Sequence, residues 1–349
     1  MMGGVLTQEA RAGSSGAPLA ALPPFAATLQ GFWKGEVLWH CQLAHFTTLK
    51  VGGPAQAVIM PSRIPELALL IKGLRQHAIP WRIMGRGSNI LVPDDGFPGV
   101  VIVMGQGLAA IRQVAEDADG VIVEVEAGCG LARLVKWTMA QGLSGLEFAA
   151  GIPGSVGGTI VMNAGAFGGA IGDHILAIGL MDGQGAYHVA ERRHCRFSYR
   201  GLTIDHPDLP GPVRLGKGGG RHREDVLVLA GTFRFTRGVQ HEVADRCRAL
   251  NAKRKASQPQ GMASAGSFFK NPPEAAAGRL IDEAGLKGAR VGGAVISPKH
   301  ANFIVNAGNA TARDIVELMH LVQETVWKRA GIRLEPEVDI WQPEGGERH

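Results

Sequence analysis

The chain has 349 residues, of which 45% are hydrophobic and 19% charged; this excludes a disordered or fibrous chain and supplies material for two or three compact units. Its formal charge of +5 is not gathered into a basic stripe or a recognised nucleic-acid module, so no nucleic-acid partner is expected. Four cysteines, at 41, 129, 195 and 247, form no CxxC pair, which argues against a zinc knuckle or disulfide framework and suits a reducing, cytoplasmic setting.

Residues 1–28 are rich in Gly, Ala, Ser and Pro and read as a disordered tail. Within it, APLAALPPFAA lacks a basic leader and is broken by prolines, and no later run is long enough for a membrane span. AQAVIMP then reads as a strand, followed by a helix capped by Ser62 with Ile64, Leu67, Ile71 and Leu74 at helical spacing. IPWRIMG and GVVIVMG read as strands, completing a small α/β unit. From about 100 to 237 the pattern is mostly strands: VIVEVEAG, GTIVMNAG, ILAIGLMD, GAYHVAE and VLVLAGTFRF. One helix interrupts them, with Leu131, Leu134, Val135 and Met139 on one face and Gly142 past its end. The Gly-, Pro- and charge-rich stretch 201–224 reads as a flexible insertion.

The last third returns to helix. VADRCRALNAKRK carries Lys253-Arg254-Lys255, which reads as the solvated end of a helix. GRLIDEAG reads as a second helix and GGAVIS and ANFIVN as strands. A final helix of about twenty residues has Thr311 and Asp314 at capping-box spacing and Ile315, Leu318, Val322 and Val326 as its buried stripe.

Fifty glycines, about twice the usual share, cluster in tight loops where backbone must approach something closely. MGRGSNILV supplies Gly85, Arg86, Gly87, Ser88 and Asn89 after a strand, and such a turn can aim successive N–H groups at an anion. GIPGSVGGTIVMNAGAFGG has little side-chain bulk to keep a pyrophosphate away. Both loops can equally be tight strand connections. Neither spells GxGxxG, and the sequence contains no HExxH or GxSxG motif to support a hydrolase. Twelve histidines are scattered along the chain and suggest no metal site. SAGSFFKNPP, from Ser264 to Pro273, places one hydroxyl between a glycine and two adjacent phenylalanines. It reads either as the wall of a pocket or as a strand end tucked into a core.

Taken together, FTTLKVGGPAQ, MGRGSNILVPDDGFPGVVI, EFAAGIPGSVGGTIVMNAGAFGG, SYR, SAGSFFKNP, AGRLIDEAGLKG, ISPKHANFIVN and LEPEV occur in an order that closely resembles the UDP-N-acetylenolpyruvoylglucosamine reductase family over about residues 45 to 340. Intact MNAGAFGG, with no extra tyrosine-bearing insertion in the last domain, is similar to its shorter, type II branch. The resemblance implies an α+β chain: an FAD-binding fold of the vanillyl-alcohol-oxidase (PCMH) type in two subdomains, plus a C-terminal α+β substrate-binding domain. The boundaries it suggests are 29–105 for the first subdomain, with 333–349 a candidate return to it, 106–237 for the second, and 238–332 for the substrate domain.

The resemblance also implies non-covalent FAD, NADPH as hydride donor, and a small-molecule UDP-sugar substrate, with no membrane or metal partner. By position it suggests Arg200, Ser267 and Glu337 as catalytic residues. Cofactor contacts would come from Gly85, Arg86, Gly87, Ser88, Asn89, Gly151, Pro153, Gly154, Ser155, Gly157, Gly158, Asn163 and Gly165. Lys270, Asn271, Lys287 and His300 would lie near the nucleotide sugar; for His300 a half-buried structural role stands beside the functional one. Two departures from the family pattern stand out: SYR runs on into GLTIDHPDL, and QPQGMASAGS lacks the usual proline before SAGS. The alternative is another FAD-linked oxidoreductase of the same cofactor fold, acting on an alcohol or sugar.

Overall fold

The computed structural model describes residue 29 and residues 33–216 and 226–342. The expected tail, 1–28, and residues 217–224 of the expected insertion lie outside the described residues. The first sheet has four strands in the order Glu36–Gln42, Pro54–Met60, Phe97–Val103 and Trp81–Met84. The first pair is antiparallel and the others are parallel. Val100, Val101 and Ile102 are buried in succession, as expected of a parallel strand covered on both faces. Helix Ile64–Gln76 packs its Leu67, Leu70, Ile71 and Leu74 into the same core. Its N-cap is Arg63, not Ser62; the Ser62 hydroxyl instead donates to Glu66 Oε2 at 2.8 Å.

A larger antiparallel sheet runs in the order Tyr187–Glu191, Ile175–Asp182, Val226–Arg237, Gly120–Glu126 and Ile111–Asp117. The last of these gave no sequence signal, because nearly all of its side chains face solvent at the sheet edge. GTIVMNAG, expected as a strand, instead has its first half in the helix Val156–Val161. Ser155 caps it by accepting from Gly158 N, and Val156 and Ile160 bury themselves against the large sheet's core. A short apolar run is ambiguous between helix and strand, and here burial of Val156 and Ile160, helped by the cap, decides. Part of the expected flexible insertion is ordered: Gly201–Ile204 pairs with Val213–Gly216, and Leu202, Ile204, Val213 and Leu215 enter the core.

The C-terminal region has a four-stranded sheet, Ala263–Ser264, Ile304–Asn306, Ala294–Ile296 and Arg290–Val291, packed on helix Ala312–Ala330. Thr311 and Asp314 form the anticipated capping box. Strand Asp339–Ile340 then pairs in parallel with Ile90–Leu91, beside the first glycine loop. Among the described residues no helix is long and apolar enough to cross a membrane.

A second cap comes from far away in sequence. Asp94 accepts from Ala312 N at 2.7 Å and from Arg313 N at 3.0 Å, joining the first unit to the long helix. Asp94→Ala is expected to destabilise the chain by about 0.5–2 kcal/mol, the range for losing a helix cap. An unchanged denaturant midpoint would remove Asp94 from this role.

Candidate active site

Both glycine loops open onto one cavity of about 880 Å³, within the usual size of a ligand pocket. Nine glycines line it: 85, 87, 151, 154, 157, 158, 165, 216 and 266. At Gly87 (φ +57°) a Cβ would run into the backbone carbonyl of Phe46. At Gly154 (φ +135°) a Cβ would meet only Ser88 Oγ and Thr159 Cγ2, each at 3.4 Å. The protein leaves open the space where that side chain would project. Of the thirteen residues suggested for the cofactor, all but Asn163 line the cavity. Asn163 is occupied structurally, its amide donating to Ser198 O at 3.0 Å and accepting from Gly172 N at 2.9 Å. The Asn89 amide likewise donates to Glu337 O at 3.2 Å.

One cavity residue was misjudged from sequence. Arg254 is half-buried, lines the cavity and donates through Nε to Ala150 O at 3.2 Å, while its Nη2 is buried without a partner. Burial pulls its pKa below the ordinary arginine value. The available signal was helical spacing, since Val243, Cys247, Asn251 and Arg254 share one face of helix Gln240–Ser257. A glycine-walled cradle and an arginine nitrogen lacking an acceptor fit a long, anionic dinucleotide such as FAD.

Arg200, Ser267 and Glu337 line this same cavity. Arg200 occupies the tight turn between strands Cys195–Ser198 and Gly201–Ile204, with the unusual φ of +58° for a non-glycine residue. Its Nε donates to Glu337 Oε1 at 2.5 Å, and its two terminal nitrogens have no hydrogen-bond partner among the described residues. Tyr199 OH reaches Glu337 Oε2 at 3.4 Å. Burial pushes the Glu337 carboxyl up, outweighing the opposing pull of Arg200 and Tyr199.

Ser267 follows Gly266, whose φ of +77° demands glycine although a Cβ there would meet nothing. Phe268 and Phe269 are fully buried and pack edge to face. Asn302, unrecognised in the sequence, clamps them: its carbonyl accepts from Phe269 N at 2.9 Å and its amide donates to Phe269 O at 2.8 Å. Its backbone oxygen also accepts from Phe268 N at 2.7 Å. From the other side Glu337 N donates to Phe268 O at 2.7 Å. The serine is thus the wall of a pocket and its neighbours are the core, so both readings of SAGSFFKNPP hold at once. Its hydroxyl has no hydrogen-bond partner among the described residues.

A second cavity, about 730 Å³, meets the first at Ser267 and is lined by Asn271, Arg279, Lys287, Lys299 and His300 among others. Asn271 caps helix Ala277–Glu283 by accepting from Ala277 N at 3.0 Å, and Lys287 pairs with Asp282 at 2.6 Å. His300 Nδ1 accepts from Asn302 N at 3.2 Å, and burial, with Lys287 nearby, keeps its imidazole neutral-leaning. Lys270 lines neither cavity; its ammonium pairs with Glu335 at 2.9 Å.

The α+β architecture and the glycine-walled cavity define an FAD-binding protein, and an "FAD binding domain" family model matches residues 55–191. A second model, "UDP-N-acetylenolpyruvoylglucosamine reductase, C-terminal domain", matches residues 258–341. The enzyme of that name from Desulfosudis oleivorans is 40% identical over 320 residues, covering 90% of this chain and 98% of its own. The one from Latilactobacillus sakei is 38% identical over 298 residues, covering 85% and 91%. A solved structure of the Thermus caldophilus enzyme, 36% identical, covers 89% of this chain and all of its own, with a TM-score of 0.70. The chain belongs to the UDP-N-acetylenolpyruvoylglucosamine reductase family.

The Asn302 clamp is directly testable. Asn302→Ala strips partners from two buried backbone groups of Phe269, at a cost of about 2–4 kcal/mol. Equilibrium unfolding within error of the unsubstituted protein would overturn the assignment.

Proposed function

We propose that this chain reduces the enolpyruvyl ether of UDP-N-acetylglucosamine to its lactyl ether, UDP-N-acetylmuramate, a step of peptidoglycan precursor synthesis. The observation that carries the reading is the meeting of Ser267, Arg200 and Glu337 in a cavity walled by both glycine loops. Bound there, FAD recharged by NADPH supplies the hydride equivalent that the terminal alkene carbon requires.

The residues of the chain handle the remaining charge and the proton. Adding hydride to the methylene carbon leaves an electron pair alpha to the substrate carboxylate, delocalised as an enolate. The free terminal nitrogens of Arg200 form a planar fork suited to that carboxylate and its growing charge. Glu337 holds the fork in place through Nε, a positioning role that requires no proton of its own. Ser267 donates its hydroxyl proton to the alpha carbon. A serine is a weak acid, so its rate contribution depends on fixed geometry, which the buried Phe268-Phe269 pair and the Asn302 clamp provide. The second cavity, where Arg279, Lys287 and Lys299 outnumber Asp282 and Glu283, suits the diphosphate and sugar of the substrate. Lys270 acts there only indirectly, by bracing the loop through Glu335.

Two variants test the assignment. Ser267→Ala should leave anaerobic bleaching of the flavin by NADPH unaltered and slow its reoxidation by the enolpyruvyl substrate on the order of a hundred- to ten-thousandfold. Equal loss in both half-reactions would count against the donor role, and bleaching by an alcohol would count against the reductase reading. Gly154→Val puts a branched side chain into the cradle at a positive φ and should yield protein purified without flavin. Full flavin content, measured by absorbance, would refute the cradle.

A further inference from the structure

The histidines that look scattered in the sequence do not stay apart. His188, on strand Tyr187–Glu191, and His206 and Asp208, in the loop after strand Gly201–Ile204, bring one ligand atom each within 4.8 Å of one another. Among the described residues this is the only such group of three. We propose that His188, His206 and Asp208, none of which lines the flavin cavity, form a binding site for a late first-row divalent metal ion such as zinc that the reductase chemistry does not require.

The donor atoms carry the argument. His188 Nε2 lies 2.9 Å from Asp182 Oδ2. Asp182 Oδ1 also accepts from Gln184 N at 2.8 Å and from Ala186 N at 2.9 Å, so the carboxylate is set as a hydrogen-bond acceptor. The Nε2 of His188 is therefore the N–H donor, and in the neutral ring Nδ1 carries the lone pair. A carboxylate orienting one imidazole nitrogen while the other faces a metal is the usual outer arrangement of metal-bound histidine.

That Nδ1 sits 3.9 Å from Asp208 Oδ2, and His206 Nδ1 sits 3.8 Å from the same oxygen. Both gaps are too long for a hydrogen bond. Ligands on a tetrahedral zinc stand roughly 3.4 Å apart, which follows from bond lengths of about 2.0–2.1 Å. An ion would draw in Asp208, whose side chain is 69% exposed, and bring the less exposed His188 and His206 nitrogens closer together than the 4.8 Å within which all three ligand atoms lie. His206 Nδ1 accepts a 3.2 Å hydrogen bond from Asp208 N, which marks it as the proton-free nitrogen and is the one contact a metal would displace. His194 packs edge-on against His206 at 5.1 Å, with its own Nδ1 buried and unpartnered. Two imidazoles and one carboxylate select zinc, nickel or copper over magnesium or calcium, which prefer all-oxygen sites.

An ion here would tie the edge strand of the large sheet to the far end of the hairpin whose turn carries Arg200. Its consequence is stability, since a ligand bound only by the folded state raises the unfolding temperature.

The test is a titration of untagged, metal-stripped, flavin-loaded protein with zinc by calorimetry, and with cobalt by visible absorption to the red of the flavin. One saturable equivalent is expected, with a higher thermal midpoint and tetrahedral cobalt bands. His206→Gln and Asp208→Asn should each weaken binding by roughly tenfold or more, while flavin content reports that each variant is folded. If His206→Gln loses its flavin, the exposed Asp208→Asn decides alone. No saturable binding to the unsubstituted protein, or a folded variant that binds as tightly as it does, overturns the site.

Discussion

The geometry of the active site depends on a short stitch of backbone. Phe268 accepts from Glu337 N, Phe269 bridges to Pro336, and Lys270 N donates to Glu335 O. A few residues on, Asp339 N donates to Asn89 O and Trp341 N to Leu91 O. Three segments distant in sequence, 89–91, 268–270 and 335–341, are joined by these bonds. The Ser267 hydroxyl, the buried Glu337 carboxylate and the first glycine loop therefore share one frame. The centre of the stitch is dry: Phe268, Phe269, Val338 and Leu334 are buried in the core of the C-terminal region, where backbone hydrogen bonds meet little competition from water.

Arg200 enters the site from another direction. Its hairpin belongs to the three-stranded sheet, and the amide of Asn163 ties Ser198 at the mouth of the turn to the second glycine loop. The left-handed φ at Arg200 is costly for a residue with a Cβ, and the surrounding bonds keep it there. The Glu337 carboxylate completes the arrangement. Burial alone would favour its protonated form, whereas the adjacent guanidinium favours the ionised one. A buried pair of this kind is weak evidence for stability and better understood as a device that orients the arginine.

The second cavity explains why Ser267 lies where it does. It is the residue common to both cavities, so a ligand extending from the cationic pocket toward the glycine loops must pass its hydroxyl. All three cations of that pocket are engaged, Arg279 with Glu283 at 2.7 Å. Lys287 is paired with Asp282 and Lys299 donates to Lys255 O at 2.7 Å, which holds their charges near the rim until an anion competes for them.

Sequence by itself determined the features that are local. Glycine at 87 and 266 permits the positive φ found there, the capping box at Thr311 and Asp314 comes from spacing, and the buried stripe of the last helix from periodicity. The ordered motifs were also enough to recognise the family, because eight such blocks seldom recur in one order by chance. Tertiary structure decided what depends on distance. It made residues 156–161 a helix and ordered the strands after Arg200, because burial chooses among conformations that local patterns leave close in energy. It turned Arg254 inward, spent Asn163 and Asn89 on holding backbone, and gave Asn302 its clamp. Helical spacing marks the inward face that carries Arg254, but nothing in a linear chain signals the asparagine contacts, since a side-chain hydrogen bond spanning tens or hundreds of residues leaves no periodic trace.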